Sequence, residues 1–184
     1  MSLEESLVAH CSPTLAGLRA ANLFPFKPED TGRFIVQLKE WRSWFASRGL
    51  KLIALRRREH AWLLYLCRPD RLALDVTDLG VSNFLRRMGY DTSDSFDGLL
   101  RQLSARLRSR SGFPHEIGVF LGYPLEDVVG FMENKGKNYT CSGCWKSYGN
   151  PEEAACRFSR YHACTADYLR RFAGGEGVKQ LTTA

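Results

Sequence analysis

Residues Leu50–Cys67, LKLIALRRREHAWLLYLC, contain two apolar runs of strand length with a charged segment between them. The first run is Leu50–Leu55, the second is Ala61–Cys67, and Arg56–His60 connects them. Two such runs joined by a short polar connection are typical of a β-hairpin. The hairpin decides the fold class, because the longer patterns on both sides of it have helical periodicity.

A core helix is predicted before the hairpin, from Asp30 to Gly49. Four large apolar residues recur there at the spacing of one helical face: Phe34, Leu38, Trp41 and Phe45. Nearer the N-terminus, a short helix is expected to give way to a turn near Pro13. Residues 18–26 have no clear period and could form a strand or a short helix; Pro25 and Pro28 end the segment in either case, and we expect it to be extended.

The second half of the chain is predicted to be mainly helical. Helices are expected from Pro69, around Val81–Met88 and over Phe96–Leu107, followed by two short ones that begin near Pro114 and Pro124. The last helix starts at Asn150-Pro151, where an N-cap residue, a first-turn proline and a capping-box Glu153 coincide. We therefore predict an α+β fold: a single domain over residues 1–177, with several helices packed on a small antiparallel sheet that includes the 50–67 hairpin. Residues 178–184 are expected to be a frayed C-terminal tail.

Composition restricts the protein class without indicating a reaction. The chain has 184 residues, of which 44% are hydrophobic and 25% charged, as in an ordinary globular domain. No run is long enough to span a membrane and the first residues are acidic, so a cytoplasmic protein with no membrane partner is expected. The net charge of +6 permits an anionic partner without requiring one.

The strongest local signal for metal or redox chemistry is Cys141-Ser142-Gly143-Cys144. Two thiols at this spacing can bind zinc or an iron–sulfur cluster, or can form a redox pair. A zinc site needs about two further ligands. The candidate metal ligands are Cys141, Cys144, Cys164 and Cys11. The spacing matches no common zinc-finger pattern, so two reduced thiols in a loop are the alternative.

A second candidate site combines lysines with aromatic residues. Lys137 and Lys146 lie close in sequence to Trp145 and Tyr148, and this composition is typical of sites that stack bases or bind nucleotide phosphates. The alternative is a solvated loop whose aromatic side chains pack on the last helix. His115-Glu116 could act as an acid–base pair, but Glu116 could equally serve the helix dipole and His115 a local hydrogen bond.

The segments 114–131, PHEIGVFLGYPLEDVVGF, and 141–148, CSGCWKSY, together with 11–17, CSPTLAG, resemble a known bacterial family. This family is domain of unknown function 3793, found largely in anaerobic Firmicutes. The resemblance covers essentially the whole chain and implies a single-domain cytosolic protein, but it assigns no activity, cofactor or catalytic residue. In the family, an aromatic residue is common at the position of Cys144, so a site that requires this cysteine is not general to the family.

Glycines punctuate the segments that carry this resemblance, although each glycine costs about 1 kcal/mol relative to alanine within a helix. Gly118, Gly122 and Gly130 are therefore expected where the backbone closely approaches another helix or a ligand. We expect residues 115–122, 136–148 and 11–17 to converge on one pocket. The candidate ligand-binding residues are His115, Glu116, Lys137, Trp145, Lys146 and Tyr148.

Three functional hypotheses follow, and they leave open whether the protein is an enzyme. The first is a protein that binds a small ligand or a metal ion in anaerobic redox or metal physiology. The second is an enzyme that acts on a phosphorylated or nucleotide-like small molecule. The third is a nucleic-acid or protein-interaction adaptor that uses the arginine stretches 56–58 and 106–110. The modest net charge favours a small molecule or a metal ion over a nucleic acid, and the oligomeric state is not indicated.

Overall fold

The computed structural model of the protein describes residues 1–109 and 112–183. The chain forms two compact units, the first comprising residues 1–72 with the segment from 164 onward, and the second comprising residues 73–163. The predicted single domain over residues 1–177 stays a prediction. Helices and a small antiparallel sheet with a hairpin confirm the α+β class. Within the described residues, every helix is too short or too polar to cross a bilayer.

The sheet of the first unit has three antiparallel strands in the order β1-β3-β2. They are β1 (Ala21–Phe26), β2 (Lys51–Arg58) and β3 (Ala61–Cys67), so the predicted hairpin and the extended segment near residue 20 are confirmed. The arginines at 56–58 belong to β2 itself, and the turn is made by Glu59 and His60. Alternate residues of the strands, including Phe24, Leu52 and Leu64, enter one buried core cluster.

Two helices of the first unit also contribute to this core: α1 (Leu3–Leu15) and α2 (Thr31–Ala46). The helix α2 confirms the predicted core helix, and its Phe34, Leu38 and Phe45 are buried. The turn expected near Pro13 is wrong, because α1 continues through Pro13 to Leu15. Proline removes one backbone donor, but the last turn of α1 still closes through the bond from the Ala16 N–H to the Ser12 carbonyl.

The C-terminal segment is anchored rather than frayed. Residues Val178–Leu181 form the short helix α9, in which Val178 and Leu181 are almost completely buried. The Thr183 N–H donates to the Leu15 carbonyl at 3.0 Å, and the Arg68 guanidinium donates to the carbonyls of both Leu15 and Thr183. The tail is ordered because these bonds and the two apolar side chains tie it to the end of α1, a long-range effect that the tail's own sequence does not reveal.

The second unit is built from short helices and a minimal hairpin. The helix α3 (Pro69–Thr77) begins in the first unit and ends in the second, where α4 (Leu79–Arg87), α5 (Phe96–Arg108), α6 (Ile117–Phe120) and α7 (Leu125–Glu133) follow. The hairpin pairs β4 (Cys141–Ser142) with β5 (Lys146–Ser147). The long helix α8 (Pro151–Ala173) begins in this unit, and Asn150 accepts hydrogen bonds from the Glu152 and Glu153 N–H groups, which confirms the predicted N-cap.

Candidate functional site

The second unit contains two of the three segments that were expected to meet, residues 115–122 and 136–148, whereas residues 11–17 belong to the first unit. The arginine stretches are divided in the same way: residues 56–58 lie in the first unit, Arg106 and Arg108 lie in the second, and Arg110 lies outside the described residues. The site is therefore described within the second unit.

A buried carboxylate organises the β4–β5 hairpin. Asp127, in the first turn of α7, is 3% exposed and accepts four hydrogen bonds from residues 145–149. Its Oδ2 accepts from the Trp145 indole at 2.7 Å, and its Oδ1 accepts from the Ser147 hydroxyl at 3.0 Å. The N–H groups of Tyr148 and Gly149 also donate to Oδ1, at 2.6 and 3.2 Å. This residue therefore fixes where the hairpin lies on α7.

Trp145, one of the predicted ligand-binding residues, is packed inside the unit. Its ring is stacked on Tyr123 at a centroid distance of 4.6 Å and meets Phe158 of α8 edge-on at the same distance. The side chain is 9% exposed. Trp145 therefore joins the hairpin to α8, and this packing agrees with the alternative in which loop aromatics pack on the last helix.

Close backbone packing explains several of the glycines. A Cβ atom at Gly130 would lie 2.4 Å from Cγ of Tyr148, and one at Gly118 would lie 2.7 Å from Val128. Gly143 faces Phe158 in the same way, at 2.3 Å. Such distances leave no space for a side chain. The glycines were expected where the backbone approaches either another helix or a ligand. At Gly118, Gly130 and Gly143 the close neighbour is a side chain of the protein itself.

Glu116 and His115 point in different directions. Glu116 is buried, accepts a hydrogen bond from the Tyr90 hydroxyl at 3.1 Å and lies 3.5 Å from the Arg106 guanidinium. Burial and the neighbouring Glu116 carboxylate raise the pKa of Tyr90, so this phenol remains a hydrogen-bond donor. His115 is exposed. Glu116 is therefore engaged inside the unit and anchors the turn that carries His115 at the surface.

The exposed side of this turn continues into the loop that follows α7. The His115 ring lies 5.9 Å from the Phe113 ring and 5.1 Å from the Phe131 ring, measured between centroids. Phe131 in turn packs against Gly136, where a Cβ would lie 3.0 Å from the ring. A positive φ of 73° also favours glycine at this position. Residues 113–115 and the loop thus form one continuous patch.

Lysines complete this patch. The Lys146 ammonium donates to the Gly136 carbonyl at 2.7 Å and lies 5.0 Å from the centroid of the Tyr139 ring. Lys137 is exposed, and its carbonyl accepts a hydrogen bond from the Tyr148 hydroxyl at 2.9 Å. We call this patch the aromatic–lysine surface; its members are Phe113, His115, Phe131, Lys137, Tyr139 and Lys146. Phe113 and Phe131 were not among the predicted ligand-binding residues; their position just before Pro114 and at the end of the 114–131 segment is the only sequence signal they carry.

The hairpin also presents the two thiols of the Cys141–Cys144 motif. Cys144 Sγ lies 3.7 Å from His162 Nε2 of α8, and Cys141 is paired with Ser147 across the hairpin. The other two proposed metal ligands, Cys11 and Cys164, belong to the first unit, and burial raises the pKa of both thiols. The described part of the chain contains no group of three His, Cys, Asp or Glu side chains positioned to hold a metal ion, and none of its cysteines forms a disulfide. The zinc or iron–sulfur site stays a prediction.

The chain belongs to the family described as "Protein of unknown function (DUF3793)", whose profile matches residues 7–182. This match confirms the resemblance carried by residues 11–17, 114–131 and 141–148. No curated protein and no solved structure matches the chain.

Proposed function

We propose that this protein is a cytoplasmic small-molecule-binding protein whose ligand is nucleotide-like, and that it binds this ligand at the aromatic–lysine surface. The supporting observation is that His115, Phe131, Gly136, Lys146 and Tyr139 follow one another in a continuous series of contacts. Two segments distant in sequence thereby place rings and ammonium groups side by side, which is the chemistry that a base and its phosphate require.

The rings of this surface are open to a stacking partner. Phe113 is 45% exposed and Tyr139 is 46% exposed. His115, which lies between Phe113 and Phe131, is exposed as well. Stacking a base on such a ring contributes about 1–3 kcal/mol and tolerates any base, because every base has an aromatic face.

The charges beside the rings suit a phosphate. Within residues 131–148 there are three lysines, at 135, 137 and 146, and one carboxylate, Glu133. Lys135 and Lys137 are exposed, whereas Lys146 is held at the Gly136 carbonyl and over the Tyr139 ring. A phosphate that approaches this loop would therefore meet positive charge next to an exposed ring, and we expect its binding to weaken as salt is added.

Binding is favoured over acid–base catalysis at this surface. Catalysis by the His115–Glu116 pair would require both side chains to reach the same substrate. Glu116 is buried against Tyr90 and Arg106, while His115 is exposed beside Phe113 and Phe131. The imidazole is therefore proposed to stack with the ligand rather than to transfer a proton with Glu116.

Isothermal titration calorimetry with a matched set of ligands tests this proposal. AMP, ADP and ATP carry both base and phosphate, adenosine lacks the phosphate, and ribose 5-phosphate lacks the base. We expect the nucleotides to bind more tightly than adenosine or ribose 5-phosphate. A short single-stranded oligonucleotide is expected to compete no better than mononucleotide at the same concentration of nucleotide units. Equal heats for all ligands, or none for any, would contradict the proposal.

Two variants of the aromatic–lysine surface, each with a matched control elsewhere, test whether the ligand binds there. Phe113→Ala removes an exposed ring and is expected to weaken nucleotide binding about fivefold or more. Lys137→Gln is expected to weaken binding and to reduce its salt dependence. Leu74→Ala, at a residue 74% exposed in the same unit, and Lys39→Gln, at an exposed lysine of α2, are the matched controls. Variants at the surface that bind like the controls would show that the ligand binds elsewhere.

A further inference from the structure

We propose that Cys141 and Cys144 form a reversible dithiol–disulfide pair, in which Cys144 is the attacking thiol, His162 accepts its proton, and a low-molecular-weight disulfide is the oxidant. The inference goes beyond the proposed nucleotide binding and does not rest on it. It rests on the contact between Cys144 and His162 and on the way the hairpin is held against α8.

The hairpin approaches α8 closely enough to bring a thiol to an imidazole. Cys144 Sγ and His162 Nε2 are 3.7 Å apart, within the range of a hydrogen bond that involves sulfur. Gly143 permits this approach, because a Cβ there would lie 2.3 Å from Cδ2 of Phe158. Phe158 and His162 are four residues apart on α8 and therefore share a helix face. The residue that follows Gly143 thus meets the histidine one turn further along.

Neighbouring contacts hold this arrangement in place. Asp127 fixes the backbone of the hairpin through the Tyr148 and Gly149 N–H groups, and Trp145, next to Cys144, packs edge-on against Phe158. The thiolate is the nucleophile in disulfide exchange, and the imidazole lies within hydrogen-bond range of the thiol whose proton it would accept.

Cys141 is placed to act as the second thiol. It pairs with Ser147 in the antiparallel hairpin, and only the Ser142–Lys146 pair lies between it and the turn that contains Cys144. Only Ser142 and Gly143 separate Cys141 from Cys144 in the chain, and the hairpin turns back at this point. Both cysteines are partly exposed, which gives a small disulfide access to them.

The exchange conserves atoms and electrons. Cys144 gives its proton to His162 Nε2, and the thiolate attacks one sulfur of the low-molecular-weight disulfide, forming a mixed disulfide and releasing one thiolate. The released thiolate takes the proton of Cys141 and leaves as a thiol. The Cys141 thiolate then attacks Cys144 Sγ, which forms the Cys141–Cys144 disulfide and displaces the second thiolate, and this thiolate takes the proton held by His162. The protein dithiol is oxidised by two electrons, and the small disulfide is reduced to two thiols.

Two other cysteines of the chain serve as comparisons for the reactivity of Cys144. Cys156 lies on α8 and is exposed, so it reports the reactivity of an accessible surface thiol. Cys11 is completely buried, and its pKa is raised because burial disfavours the thiolate. If exposure alone governed reaction, Cys156 would react first; if contact with the histidine governs reaction, Cys144 would react first.

The test is incubation of the anaerobically purified full chain with glutathione disulfide, followed by peptide mass mapping. We expect the Cys141–Cys144 peptide to lose two hydrogen atoms, Cys141→Ser to accumulate a glutathione adduct on Cys144, and Cys144→Ser to form no adduct at Cys141. His162→Gln is expected to slow the reaction at Cys144 at least about tenfold. The same change at another exposed histidine, His60→Gln, is expected to have no effect.

Three results would overturn the inference. Cys156 could be modified as fast as Cys144, His162→Gln could react at the wild-type rate, or the Cys141→Ser protein could fail to accumulate the adduct. Circular dichroism of each variant shows whether it is folded. If a variant is unfolded, the test rests on the wild-type protein alone, in which Cys144 must react with glutathione disulfide faster than Cys156.

Discussion

The indole Nε1 of Trp145 lies 2.7 Å from Oδ2 of Asp127, and both side chains are buried. The bond joins the first turn of α7 to the β4–β5 hairpin. Because the hairpin also carries Lys146 on the aromatic–lysine surface and Cys144 at His162, this one contact positions both proposed sites of the second unit.

Replacement of Asp127 is expected to be severely destabilising. Asp127→Ala leaves the Trp145 indole, the Ser147 hydroxyl and two backbone N–H groups without their acceptor, and we expect a loss of about 3 kcal/mol or more in the free energy of unfolding. Glu133→Gln, at an exposed position of the same helix, is the control and is expected to change stability by less than about 0.5 kcal/mol. Urea unfolding followed by tryptophan fluorescence measures both, and similar values for the two variants would contradict the role of Asp127.

Alanine at Gly143 is expected to push the hairpin away from α8. The added Cβ would lie 2.3 Å from the Phe158 ring, and overpacking of this kind costs about 1–3 kcal/mol. Gly177→Ala is the control, because the nearest atom there is 3.8 Å away. Near-ultraviolet circular dichroism reports the packing of Trp145 against Phe158. An unchanged spectrum and unchanged stability in Gly143→Ala would show that the close approach has no structural importance.

Loss of the Glu116 carboxylate is expected to release the turn that carries His115. Glu116→Ala leaves the Tyr90 hydroxyl without its acceptor and removes the carboxylate beside the partly exposed Arg106 guanidinium, and we expect a loss of about 1–3 kcal/mol. Glu116→Gln retains an acceptor for Tyr90 and is expected to cost less. Thermal unfolding of the two variants measures the difference, and a glutamine variant as unstable as the alanine variant would contradict this assignment of contacts.

Tyr90 is expected to make the protein sensitive to alkaline pH. Its pKa in the folded protein is raised by burial and by Glu116 above the value of about 10 for an unperturbed tyrosine. The stability that this shift contributes is therefore fully present below about pH 10 and is lost as the pH rises further. Between about pH 9 and about pH 11, the free energy of unfolding is expected to decrease more in the wild-type protein than in Tyr90→Phe. Parallel profiles would show that Tyr90 contributes nothing to the alkaline loss.

Local sequence patterns were sufficient to predict the elements whose signals are themselves local. The apolar runs around Arg56–His60 predicted the hairpin, and Asn150-Pro151 with Glu153 predicted the start of α8, because turns and helix caps depend on neighbouring residues. Asp127 was not singled out, because its four donors come from residues 18 to 22 positions later in the chain. The order of residues 178–183 was missed for the same reason, since Arg68 and Leu15 hold them.

The predicted ligand site stays a prediction, but its residues differ in their surroundings. His115 and Lys146 belong to one series of contacts through Phe131 and Gly136, whereas Trp145 and Glu116 are occupied by packing and by hydrogen bonds inside the unit. Sequence spacing could not distinguish these roles, because the direction of a side chain in a loop depends on what packs against it. Phe113 and Phe131 entered the site only through their ring contacts with His115.

Backbone amide NMR can locate the proposed nucleotide site on the aromatic–lysine surface. Correlation spectra of the isotope-labelled protein would be recorded during titration with AMP. We predict saturable shifts concentrated in residues 113–115, 131–139 and Lys146, and their loss in Phe113→Ala. Shifts concentrated instead on the arginines at 56–58, or spectra that AMP leaves unchanged, would contradict nucleotide binding at this surface.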